Sequence, residues 1–141
     1  MIRAHRDAVL ALLAPLTTDP AVGFTVAVGA LDDAGKPALD PVPPVTPYAV
    51  LRIRSRMTSD RLVPWHGRFD ATVYLTHCGR TEDEAAWAQE RTRALLLDAV
   101  PAVTGRVCAP LAMLDSQPIH TDRDVSPPLF YGVDVYTVYS T

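Results

Sequence analysis

Between Tyr48 and Arg56 the chain alternates with a period of two. Tyr48, Val50, Arg52, Arg54 and Arg56 fall on one side, and Ala49, Leu51, Ile53 and Ser55 on the other. A helix would scatter such a pattern around its axis, whereas a strand sends alternate side chains to opposite faces, so this stretch serves only as a strand with one apolar face. Its outer face then carries three guanidinium groups spaced about 7 Å apart. Arg68 to Cys78 alternates again, with Phe69, Ala71, Val73 and Leu75 inward, and the polar stretch Met57 to Gly67, holding Pro64, Trp65 and His66, reads as the loop that joins the two strands as an antiparallel pair.

The flanking segments fall into place around this pair. Residues 2–14 carry an apolar side at Val9, Leu12 and Leu13, continued at Leu16, with Arg3, Arg6 and Asp7 elsewhere, which predicts a helix laid on a core and stopped near Pro15. Gly23 to Leu31, rich in Val, Phe and Thr, predicts a strand that ends at Asp32-Asp33-Ala34-Gly35. From Lys36 to Pro47 the prolines at 37, 41, 43, 44 and 47 withdraw backbone donors and predict an extended arm or loop. After Gly79, Thr81 and Glu84 form a capping box, with Glu82 and Asp83 at the positive end of the helix dipole. The helix is expected over 82–100, ended by Pro101, with Ala85, Ala88, Thr92, Leu95, Leu96 and Ala99 on its buried stripe. Val103 to Leu111 is a further strand candidate, Asp115 to Pro128 reads as an acidic loop, and Leu129 to Tyr139 is a strong final strand. These elements predict one α+β domain over 1–141: a mostly antiparallel or mixed sheet of 4–5 strands with two helices on one face.

The chain has 141 residues, of which 48% are hydrophobic, enough to bury a core without disulfides or metal. No stretch reaches the roughly 20 apolar residues of a membrane-spanning helix, and the amphipathic start lacks a cleavage site, so a chain made in the cytoplasm and working away from membranes is expected. Cys78 and Cys108 are too few for a disulfide framework and read as free thiols in or beside strands. Twelve of the thirteen basic residues are arginine and asparagine is absent, a bias that fits GC-rich coding. With a net charge of −3, nothing global favours nucleic-acid binding.

Chemistry is poorly represented. His66, His77 and His120 with Asp60, Asp70, Asp115, Asp122 and Asp124 lack metal-ligand spacing, and Arg123 between two acids would oppose a divalent cation. His77 and Cys78 are adjacent, but neighbours on a strand point to opposite faces and do not readily share a proton. No catalytic, cofactor or metal residue is assigned, and an enzyme is the less favoured class. The outstanding feature outside the core is the stripe Arg52, Arg54 and Arg56, which invites two readings: cross-strand pairing with Asp70 or Asp134 on the same polar face, or a subunit interface or DNA-facing lumen. Residues 48–80 hold six arginines against Asp60 and Asp70, while residues 81–141 carry an excess of acids over their four arginines. One basic and one acidic surface suits head-to-tail association of identical subunits.

The order of motifs resembles the tail-terminator (minor tail) proteins of long-tailed bacteriophages, the siphophages. The likeness rests on the short N-terminal helix, the proline-rich passage into Pro47-Tyr48-Ala49-Val50-Leu51, the loop before Gly67-Arg68-Phe69-Asp70, and Thr81-Glu82-Asp83-Glu84-Ala85 opening the long helix. It continues through Thr104-Gly105-Arg106 and from Asp122-Arg123-Asp124-Val125 to Pro128-Leu129-Phe130-Tyr131. The resemblance implies a homo-oligomeric ring, usually a hexamer, on the head-proximal end of the tail tube. Such a ring ends tube polymerisation and offers the head-joining surface, with the major tail tube protein and a head-completion or neck protein as partners. DNA passes through its lumen without sequence-specific binding, no cofactor is needed, and the protein is assembled in the host cytoplasm into the virion tail. A neck or head-completion protein is the nearest alternative, a small monomeric binding domain the next.

Overall fold

The computed structural model describes residues 2–31, 37–38, 47–56, 68–124 and 128–141. Two helices open the chain, α1 (Ile2–Leu12) and α2 (Ala14–Thr17), followed by the short strands β1 (Thr25–Val28), β2 (Ala30–Leu31) and β3 (Pro37–Ala38). Then come β4 (Tyr48–Ser55), β5 (Phe69–Gly79), α3 (Glu82–Leu96), β6 (Ala112–Ser116), β7 (His120–Asp122) and β8 (Leu129–Ser140). The fold is α+β. A six-stranded mixed sheet runs β1-β4-β5-β8-β6, with β7 also paired to β8, while β2 and β3 form a separate antiparallel ribbon.

The period-two segments are the centre of this sheet. β4 and β5 pair antiparallel with Leu51 opposite Leu75 and Ile53 opposite Val73, and β5 continues antiparallel to β8 along its whole length, from Phe69 opposite Ser140 to Gly79 opposite Phe130. β1 lies parallel to β4 from Thr25 opposite Tyr48 to Val28 opposite Leu51. The inward residues Ala49, Leu51, Phe69, Ala71, Val73 and Leu75 meet Val9 and Leu13 near the N-terminus and Ala88 and Leu96 of α3 in one core, so α1 and α3 cover the same face. Burying each Leu or Val there contributes on the order of 1.5–3 kcal/mol.

The start of α3 follows its sequence signal. Thr81 Oγ1 accepts a hydrogen bond from the Glu84 amide, and the Glu84 carboxylate accepts one from the Arg80 amide. Its end does not. The helix stops at Leu96, short of Val100, because Asp98 takes a positive φ of 62° and its amide turns to the Leu111 carbonyl while the Leu111 amide returns to Ala99. Of the two leucines expected in the core, Leu96 is fully buried and Leu95 only partly.

Four further expectations are corrected. Val103 to Leu111 is not a strand: its ladder with the end of β8 is no longer than an isolated bridge between Cys108 and Ser140, with the Ala109 amide on the Tyr139 carbonyl, and Gly105 at φ 75° bends it. The region read as an acidic loop from Asp115 instead contains the end of β6 and all of β7, both paired to β8. The first strand is cut at Gly29, where a Cβ would stand 2.5 Å from Val50 Cγ1. Pro15, expected to stop the first helix, sits in the opening turn of α2, where a proline costs no hydrogen bond. Most of the proline-rich arm and the whole loop 57–67, with Asp60, Trp65 and His66, lie outside the described residues.

His5 ties the first element to the last. Fully buried, it stacks on Phe69 with ring centroids 4.0 Å apart, and its Nε2 lies 2.7 Å from Ser140 Oγ. Arg106 donates to the same hydroxyl and to the Ser140 carbonyl, so the end of β8 is held from two sides.

Candidate functional site

The alternation of β4 and its register with β5 and β8 decide what stands beside each arginine. Arg52 is opposite Tyr74, and its guanidinium lies 5.4 Å from the centre of that ring; Arg54 is opposite Thr72 and exposed. Arg56 meets Asp70 at 4.0 Å with both side chains about half exposed, at 46% and 52%. Nearby, Arg68 lies 5.5 Å from the ring centre of Tyr139. The face left uncovered by α1 and α3 is therefore basic and aromatic at this end. At its other end it is apolar: Tyr48, Val50 and Cys78 are buried together with Tyr131 packed against them, although alternation alone put Tyr48 and Val50 on a polar face. Burial pushes the Cys78 thiol up to about 11, leaving it protonated and a poor nucleophile at neutral pH, and burial also raises the Tyr48 hydroxyl beside it.

Asp134 does not belong to this face. It pairs in register with Leu75, whose side chain points into the helix-covered core, and it is fully buried there. Arg93 of α3 reaches it at 3.0 Å, Ser116 Oγ donates at 2.7 Å and Gln89 Nε2 at 3.2 Å. Hydrogen bonding to Asp134 raises the Arg93 pKa above its ordinary value. Cross-strand pairing of the stripe thus involves Asp70 and not Asp134. The signal in the sequence is that Asp134 is the only charge between Leu129 and Ser140, which points to a partner for it but not to the face it takes.

His77 completes the internal polar group. Its Nδ1 faces the Gly132 carbonyl at 3.2 Å and its Nε2 bonds Thr92 Oγ1. A carbonyl only accepts, so the neutral ring carries its hydrogen on Nδ1 and accepts from the Thr92 hydroxyl at Nε2. Burial pushes its pKa down to about 4, against an opposing contribution from Asp134. His77 and Cys78 point to opposite faces of β5 and neither is accessible, so the sequence neighbours do not form a nucleophile and base pair. His120 is exposed, its ring 5.9 Å from that of Tyr131, far along β8 from the arginines. No group of three or more potential metal ligands occurs among the described residues.

No protein-family model and no curated protein matches the sequence. In three dimensions the chain is similar to one in the virion of a native gene transfer agent particle, with a TM-score of 0.62 and 14% identity over 96% of this chain and 92% of that one. The likeness is one of fold. It spans almost all of both chains, so it concerns the whole arrangement of sheet and helices and not a shared fragment.

Proposed function

We propose that this chain is a structural protein of a phage-like virion, acting as a homo-oligomeric ring that caps the head-proximal end of a tail tube, stops its growth and presents the surface for head joining. The observation that carries this reading is the fold likeness to a virion chain over nearly the full length of both proteins. The order of sequence motifs supports the terminator role within that class. So does the arrangement of the sheet: one face is closed by helices, the other offers Arg52, Arg54 and Arg56 toward a neighbour or a lumen, and β1 and β6 are outer strands at opposite edges. A non-catalytic role agrees with His77 and Cys78 being buried on opposite faces.

The test is assembly with and without tubes. Purified protein should show masses that are multiples of 15.3 kDa, and adding it to polymerising tail tubes should fix their length, with density at one end only in electron micrographs. A strict monomer at every concentration that also leaves tubes growing would overturn the reading. Binding to portal-bearing heads in the absence of tubes would reassign the chain to the neck.

A further inference from the structure

The two edges of the sheet are chemically matched. β1 ends at Val28, the Gly29 amide closes on the Leu51 carbonyl at 3.1 Å, and β4 runs on to Ser55 beyond it. A cavity of about 570 Å³ opens where β1 stops, bounded by Ile2 and Arg6 of α1, Val28, Arg52, Arg54 and Tyr74. Ile2 and Val28 are 43% and 49% exposed there. The Arg52 stem lies across the strand end at Gly29, where a Cβ would only touch Arg52 Cγ at 3.5 Å but would run into Val50 Cγ1 at 2.5 Å. The Arg52 Nε is buried and has no hydrogen-bond partner among the described residues. Such a pocket, cationic with an unmet donor and an aliphatic rim, fits a carboxylate carried beside an aliphatic side chain.

The opposite edge presents that group twice. On β6 the ladder with β8 slips between Met113 and Asp115, which takes Leu114 out of register; Leu114 is 56% exposed and Asp115 beside it is also exposed. Close by in the chain path, Leu97 is 43% exposed and precedes the exposed Asp98, whose amide bonds the Leu111 carbonyl just before β6. Each edge has what the other lacks.

We infer that the Leu114-Asp115 step of one copy docks into the Arg52 and Arg54 pocket of the next, with Asp98 adding charge at the rim; this rests on the ring assembly proposed above and names its contact. The two surfaces lie at opposite edges of one sheet, so the contact is heterologous and repeats around a ring. DNA fits the pocket less well. A duplex meets protein through a convex, hydrated row of phosphates that leaves Ile2 and Val28 without apolar partners.

The experiment compares two charge reversals by sedimentation of the full chain, with circular dichroism to read the fold. Arg52→Glu with Arg54→Glu sets an acidic pocket against Asp115, and Asp115→Arg sets a basic edge against the native pocket. Each variant alone should dissociate at least about tenfold more readily than the parent, since like charges then meet at the contact. Mixed one to one, they should reassemble as alternating copies, because every contact between the two different variants again joins opposite charges. If the double variant does not fold, Arg54→Glu alone, at an exposed position, takes its place. Variants that assemble like the parent, or that stay apart when mixed, overturn the contact while leaving the ring intact. A parent protein that never assembles overturns the ring itself. A double variant that assembles normally but no longer retains short duplex DNA transfers the pocket to a lumen.

Discussion

The two faces of the sheet use the same residue types in opposite ways. On the helix-covered face, Asp134 and Arg93 meet at 3.0 Å with the carboxylate wholly withdrawn from solvent and with two further donors on its oxygens. On the other face, Asp70 and Arg56 stand 4.0 Å apart in water. A charge inside the protein must be matched, and that match fixes the position of α3 over β8; a charge outside is solvated whether or not it has a partner, which leaves it free to meet another molecule. The inner pair is structural, and the outer pair lies on the face proposed to meet a neighbour.

That contrast is broken most severely at Asp134. Asp134→Ala leaves Arg93 facing a partly buried void and removes the acceptor for Ser116 and Gln89, so a loss of about 3 kcal/mol or more is expected from denaturant unfolding. Asp134→Asn, which keeps the shape and one acceptor oxygen, should lose less. If both variants unfold within about 0.5 kcal/mol of the parent, the inner pair is no more structural than the outer one.

His77 gives the next largest effect, through pH. Folded, the ring holds a proton only below about 4, whereas in the unfolded chain it does so below its ordinary value near 6.5. Between those limits the unfolded state binds more protons, so acidification favours unfolding through that window and the contribution levels off below it. His77→Asn retains a donor toward the Gly132 carbonyl but does not titrate. Stability measured from pH 7 down to 4 should fall less steeply in that variant, and an unchanged slope would assign the acid sensitivity to other groups.

How far the sequence reveals all this depends on whether a local pattern or a distant partner decides each element. β4 and β5 were legible from strict alternation, and the opening of α3 from Thr81 and Glu84. The end of α3 was not, because the turn at Asp98 is set by hydrogen bonds to Leu111 and Ala99, residues on another segment. β6 was hidden by the slip at Leu114, which destroys the period of two, and β7 by its three polar residues. The parallel neighbour β1 was unreadable as such, since alternation says nothing of strand direction. At the candidate site, the arginine stripe and its partner Asp70 followed from the pattern. The side taken by Asp134 did not, because β8 has apolar residues on both faces: Val133 and Val135 flank it in the chain while Tyr136 and Val138 share the core. Only the register with β5 fixes its phase.

The smallest effect sharpens the comparison from the other side. Arg56 and Asp70 form an ion pair in distance only, since at 4.0 Å and about half exposure the attraction is screened and two long side chains lose freedom in holding it. A double-mutant cycle with Arg56→Ala and Asp70→Ala should return a coupling below about 0.5 kcal/mol, declining further as salt is raised. The same cycle on Arg93 and Asp134 should return a much larger value with weaker salt dependence, because the carboxylate is beyond the reach of mobile ions. The two numbers together measure what burial does to one chemical pair. Should the outer coupling approach the inner one, Arg56 would be locked on Asp70 and unavailable to any neighbour, and the open face would then hold fewer free charges for assembly than its sequence provides.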